Sequence, residues 1–258
     1  MTKHTVDIDE QPAELAGATL HAIRRSVGTR PRRWLIAITL LLGPLAALAM
    51  AAAEQPGDLT FATLSDPVQS LMSVTVPFLG VLLAQDLRRA SRTSRFAPTL
   101  LAATLLAAAV GLFGVLVCAA ALALAPSGTA PDPWRHAATI TLGGVLVQIV
   151  AQLVGTGLGL LLRPAVVACL ATIVLPLGTW AVLGAVDVLQ PAQAFTPYAT
   201  VRHLLSGRMS AANWAQWLVV LLIWGVGPNI VGVARLKRRK PEGDPTPDTT
   251  ARDSAPAA

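Results

Sequence analysis

The sequence predicts an all-α integral membrane protein with six transmembrane helices, both termini on the inner side, preceded by an amphipathic interfacial helix. Three observations carry that prediction. Of 258 residues, 53% are apolar and only 13% charged, against about 25% charged in a soluble domain. The apolar residues gather into six uncharged runs, and the mean hydropathy of the whole chain is +0.59. Each run is near the roughly 20 residues that a helix needs to cross a hydrocarbon core about 30 Å thick. Finally, the lysines and arginines sit in short blocks at alternate ends of the runs. This composition excludes an ordinary soluble enzyme and a disordered chain alike. A net charge of +6 is the kind of footprint that nucleic-acid binding leaves. Placed beside membrane runs, however, basic blocks report orientation, so no nucleic-acid partner is expected.

In chain order, residues 1–13 are polar and read as a mobile N-terminus. Residues 14–33 read as an amphipathic basic helix in the membrane interface. A helical wheel gathers Leu15, Ala16, Ala18, Leu20, Ala22, Ile23 and Val27 into one arc, with Glu14, His21, Arg24 and Arg25 opposite; apolar residues would face lipid and arginines the headgroups. A solvated basic lead-in is the open alternative. Six spans follow, over residues 34–53, 67–84, 97–125, 137–162, 164–186 and 214–234. The first is too long and too far from the start of the chain for a cleaved signal peptide. Residues 235–258 are a basic stop followed by a Pro-, Asp- and Thr-rich tail with nothing to bury, read as disordered and cytoplasmic. With the N-terminus inside, all 20 lysines and arginines except Arg135, Arg202 and Arg208 fall on the inner side, as the positive-inside tendency requires.

Chemistry of its own is hard to find. The chain has no GxxxxGK[ST] phosphate loop, no HExxH and no GxSxG. His4, His21, His136 and His203 lie on separate segments, and Cys118 and Cys169 fall inside apolar runs, so neither a metal site nor a catalytic residue is assigned. The span interiors carry no ionisable residue of the sort that couples transport to ions. Polar uncharged residues do occur at depth. Gln148, Gln152, Gly155, Thr156 and Gly159 share one face of the fourth span, suited either to tight helix packing or to a translocation path. The second span carries Gln69, Ser70, Ser73 and Thr75. Pro44, Pro77, Pro176 and Pro228 interrupt four spans and could kink them.

The order of parts resembles the permease subunits of type-2 ABC exporters. The stretch GTGLGLLLRPAVVACLATIVLPLG, residues 155–178, is similar to that family's small-residue fourth span, single-arginine turn and apolar fifth span. WAQWLVVLLIWGVGPNIVGVARLKRR, residues 214–239, resembles its last span and basic stop. The resemblance implies that the chain has no ATPase activity and binds no cofactor. A partner ABC ATPase subunit would hold ATP and magnesium, and a second permease copy, the same or different, would complete the path within membrane lipids. It also implies a coupling loop after the second span at 85–95, with Asp86, Leu87, Arg88, Arg89 and Arg92 contacting the ATPase; plain positive-inside charge is the alternative there. The family's outer re-entrant segment corresponds to residues 190–213, including Phe195, Tyr198 and His203, for which a surface loop stays open. Abundant arginine and alanine against only Lys3, Lys237 and Lys240 suggests a high-GC bacterial source and hence a bacterial cell membrane. A non-transporting scaffold, immunity or sensor subunit is the rival function.

Overall fold

The computed structural model describes residue 17 and residues 28–90, 96–125 and 130–238. Most of the proposed interfacial helix, including Leu15, Ile23, Arg24 and Arg25, lies outside the described residues, as do Arg92 and the C-terminal tail; its last residues, 30–33, are the first turn of the first spanning helix. Among the described residues there are helices and turns but no strand. Within the described residues, six helices are long and apolar enough to cross a membrane. The protein is thus a multi-span helical membrane protein.

The spans are α1 (Arg30–Ala53), α2 (Phe61–Ala90), α3 (Phe96–Ala123), α4 (Ala137–Leu161) and α5 (Ala165–Ala185). A nine-residue 3₁₀ stretch, Asp187–Phe195, and the short helix α6 (Pro197–Leu205) lead into the last span, α7 (Ala211–Arg238). Near each end of α2 the sequence reading stopped short. The helix begins at Phe61 because Thr60 and Thr63 cap each other: Thr63 N–H donates to Thr60 Oγ1 (3.1 Å) and Thr60 N–H to Thr63 Oγ1 (2.9 Å). That is a reciprocal cap with threonine in the place usually held by an acidic residue. Asp66 and Pro67 therefore lie inside the helix and do not precede it. At the other end, residues expected in a loop, Gln85 to Ala90, continue the helix. At 30 residues it is about 45 Å long, well beyond the hydrocarbon core.

The last span changes pitch in the middle. Leu221–Val226 is π-helical, with Gly227 N–H donating to Leu222 O five residues back. Pro228 follows directly; it has no N–H to give the ladder and crowds the carbonyl four residues earlier, the usual cause of such a break.

α2 and α4 form the centre of the bundle, packed together along most of their length. α1 and α3 cover α2, while α6 and α7 cover α4. α5 is peripheral, its apolar side chains Val166, Leu170, Val174 and Val182 pointing away from the protein. One end of the bundle carries Arg32, Arg33, Arg88, Arg89, Arg163, Arg235, Lys237 and Arg238, and is called the basic end below. His136, Asp187, Arg202, His203 and Arg208 lie at the opposite end.

Candidate functional site

The polar face of α4 is the packing seam with α2. Gln148 Nε2 donates to both the backbone oxygen (3.0 Å) and Oε1 (2.9 Å) of Gln69, and Gln69 Nε2 donates onward to Gly111 O on α3 (2.9 Å). Gln152, its amide oriented with nitrogen toward α2, donates to Val76 O (2.8 Å) and accepts from Gly80 N–H (3.3 Å). These two backbone groups form one step of the α2 ladder, beside Pro77. All three glutamines are almost wholly buried, and each buried amide needs such partners. The glycines let the two backbones touch. A Cβ on Gly155 would run into the Pro77 backbone; one on Gly159 would sit 2.8 Å from Val81 Cα. From the other side, a Cβ on Gly80 would lie 2.7 Å from Gln152 O and Thr156 N. Of the two roles open to Gln148, Gln152, Gly155, Thr156 and Gly159, the geometry is that of helix packing; none of them lines the cavity of about 580 Å³ between α2, α4, α5 and α6.

At the basic end, the residues expected to reach toward a partner are mostly engaged within the chain. Asp86 pairs with Arg32 of α1, a buried guanidinium that also donates to Leu82 O (2.9 Å). Arg88 donates to Leu162 O, and Gln85 Nε2 to Arg163 O (3.0 Å), so both fasten α2 to the α4–α5 turn. Leu87 lines a small gap with Phe96 and Leu100 of α3. Arg89 alone of the described coupling residues is exposed. This clamp went unseen in the sequence, where Arg32 looked like one more inner-side charge.

The segment before α7 turns back along the bundle. Gln193 Nε2 donates to Trp180 O (2.8 Å), and Tyr198 meets Trp180 edge-on at 4.9 Å. Thr196 caps α6. Leu204 and Leu205 are buried against Val147, and Gly143 lies hard against the Leu204 carbonyl, where a Cβ would not fit. Those contacts on α4 and α5 are about one to three turns inside the helix ends. The segment is therefore a docked helix, with Phe195, Tyr198 and His203 on its exposed sides. Gly207 closes it at φ +72°, in the left-handed region that glycine tolerates.

Between α2, α4, α5 and α6 lies a cavity of about 580 Å³, within the usual range for small-molecule sites. On α2 it is lined by Asp66, Ser70, Ser73 and Pro77, spaced i, i+4, i+7, i+11, one helical stripe. Thr172 and Pro176 of α5 face it, Val147, Val150 and Val154 of α4 form its apolar floor, and Tyr198 and Arg202 of α6 stand at its mouth. Ser73 Oγ donates to Ser70 O and Thr172 Oγ1 to Cys169 O, each at 2.7 Å. Their hydrogens are thus committed to their own helices, and their lone pairs are left to accept. Asp66 and Arg202 are exposed and not paired with each other.

The sequence reading missed this site. The Asp66–Ser70–Ser73 stripe is legible in the sequence, but a span that begins at residue 67 leaves Asp66 out, and composition alone groups the serines with Gln69 and Thr75. Those two face elsewhere: Gln69 into the seam, Thr75 onto Thr39 of α1 (2.7 Å). Asn229 was missed as well. It is buried on α7, donating to Leu153 O (2.8 Å) and Gly225 O (2.7 Å), and signalled only by its place after Pro228. In comparisons with known proteins, no family model matches the chain and no curated protein matches it.

Proposed function

We propose that this chain is the membrane-spanning permease subunit of an ATP-driven exporter of the type-2 ABC class. It works with a second permease copy and with separate ATPase subunits that hold ATP and magnesium, and has no catalytic residue of its own. The observation that carries the reading is the continuity of α2. One helix runs from exposed Arg89 at the basic end to the Asp66 mouth of the cavity. A push on the basic end therefore reaches the cavity wall through a single element. The clamp of Arg32, Asp86, Gln85 and Arg88 ties that push to α1 and to the α4–α5 turn. Pro67 and Pro77, both on the cavity side, each remove a ladder bond and give α2 places to bend. An energy source drives such a change only if it favours one arrangement over the other, which ATP binding at a partner docked on the basic end would do.

The excess of arginines and lysines orients the basic end toward the cytoplasm of a bacterial cell. The ATPase contact is then Arg89 and the residues after it, Arg92 included, while Asp86 and Arg88 hold the helix in position behind them.

The test is co-expression with a candidate ATPase. Arg89→Glu combined with Arg92→Glu is expected to abolish co-purification and stimulated ATP hydrolysis while leaving the permease folded. Unchanged complex formation and unchanged stimulation would overturn the coupling assignment. Uphill transport by the chain alone in liposomes would overturn the permease reading itself.

A further inference from the structure

The cavity between α2, α4, α5 and α6 has a polarity that points to a particular ligand chemistry. Its depth is the first clue. From Asp66 at the mouth to Pro77 is 11 residues of helix, about 16 Å, close to half of a hydrocarbon core about 30 Å thick. The cavity thus reaches from one end of the bundle to near its midplane, the depth of one leaflet. Its inner part is walled mainly by Val150, Val154 and Ile173, with the Thr172 hydroxyl beside them, and offers an acyl chain mostly apolar contact.

Acceptors dominate the α2 and α5 walls. The Ser73 and Thr172 hydroxyls have spent their hydrogens on Ser70 O and Cys169 O, and Asp66 adds a carboxylate above them. At the mouth, the Asp66 carboxylate suits a group with several N–H donors and a positive charge. On the facing side of the mouth, Arg202 supplies donors and positive charge for an anionic group. Two opposite charges that share a cavity mouth without pairing complement a ligand that carries both.

We propose that this cavity binds a zwitterionic amphiphile with one acyl chain. Its primary ammonium group sits against Asp66 and its anionic group against Arg202, both at the mouth, and its chain runs inward past Ser73 and Thr172 along the α4 valines. The site lies at the end opposite the basic clamp. That this ligand is the exported cargo rests on the permease reading; the binding itself does not.

The experiment uses the full chain, purified alone in detergent micelles, with native mass spectrometry as the readout. The probes are lysophosphatidylethanolamine, lysophosphatidylcholine, lysophosphatidylglycerol and dodecylamine. The first is expected to be retained at least about tenfold better than the second, which lacks N–H donors, and than the third, which lacks the cation. Dodecylamine, lacking the anion, is expected to bind comparably weakly. Asp66→Asn should erase the preference over lysophosphatidylcholine, and Arg202→Gln should bring retention down to the dodecylamine level. Both side chains are exposed, so thermal unfolding of these variants should match the parent. Val150→Trp, which fills the apolar part, should weaken all four probes. Equal retention of the three lysolipids, or dodecylamine bound as tightly as lysophosphatidylethanolamine, would overturn the proposal, as would preferences unchanged by Asp66→Asn and Arg202→Gln. No ATPase is present, so failure here leaves the permease reading standing, and loss of ATPase coupling leaves this one untouched.

Discussion

Helices α4 and α5 are consecutive, joined by a three-residue turn, and almost equally apolar. Their mean hydropathies are 1.9 and 2.2, yet 44% of the span window is buried in α4 and only 11% in α5. In water the more apolar helix would go inside. In lipid the tails are as apolar as leucine, so burial is won by close backbone approach and by polar groups that need partners. α4 has Gly143, Gly144, Gly155, Gly157 and Gly159 with Gln148 and Gln152; α5 has neither a glutamine nor a glycine packed against another span. The same logic holds for α2, which has the lowest hydropathy of the six, 1.6, and the greatest burial, 61%. α3 breaks the trend, being the most apolar at 2.6 and still 33% buried, because Ala102, Ala103, Ala107, Gly111 and Gly114 give it a thin face.

If that account of α4 and α5 is right, a bulky residue at a seam glycine should produce the largest effect. Gly155→Leu would drive a side chain into the Pro77 backbone; overpacking costs about 1–3 kcal/mol even in yielding sites, and backbone yields least. Most of the folded yield should be lost in detergent. Gly178→Leu on α5, where a Cβ meets nothing within 4 Å, should leave yield unchanged and raise helix stability by about 0.5–1 kcal/mol.

The amide ladder comes next. Gln148→Leu strands the Gln69 acceptors in the interior, with an expected loss of about 1–3 kcal/mol in denaturant unfolding. The double variant with Gln69→Leu should recover part of it, with a coupling energy of about 0.6–1.7 kcal/mol. Additive losses in that cycle would mean that the two amides do not act as a pair.

At the basic end, Arg88→Met removes the guanidinium that holds the Leu162 carbonyl at the junction of α4 and α5. A charged hydrogen bond of this kind, half-buried, is worth about 1–2 kcal/mol, read as earlier proteolysis of the turn near Arg163. The smallest effect belongs to α5: Val174→Ala should change stability by less than about 0.5 kcal/mol, against about 1 kcal/mol or more for Val154→Ala beneath α7.

Spans, their order and the basic end were legible in the sequence because hydropathy and charge act over whole segments. Within a residue or two the structure keeps α1 ending at Ala53, α4 running from Ala137 and α5 ending at Ala185. Charge taken as a boundary makes α2 too short at both ends; Asp66 reaches the cavity mouth and Asp86 meets Arg32, so neither charge ends the helix. Periodicity grouped the α4 glutamines and glycines correctly on one face. It could not say whether that face meets another backbone or a cavity, since both accept polar and small residues. That choice is made by Gly80 and Pro77 on α2, 72 or more positions away from Gln152. The cavity was harder still, because its walls come from three spans and a short helix whose docking depends on Gly143 and Gly184.

The arrangement of α4 and α5 can be measured by attaching a nitroxide at Val174 or Val154 in a chain whose two cysteines are replaced, reconstituted in bilayers. Val174 is 61% exposed and Val154 is 4% exposed. Collision with dissolved oxygen, which partitions into lipid, should be frequent at Val174 and several-fold rarer at Val154. Equal collision rates, or the reverse order, would contradict the account and remove the basis for the cavity as well.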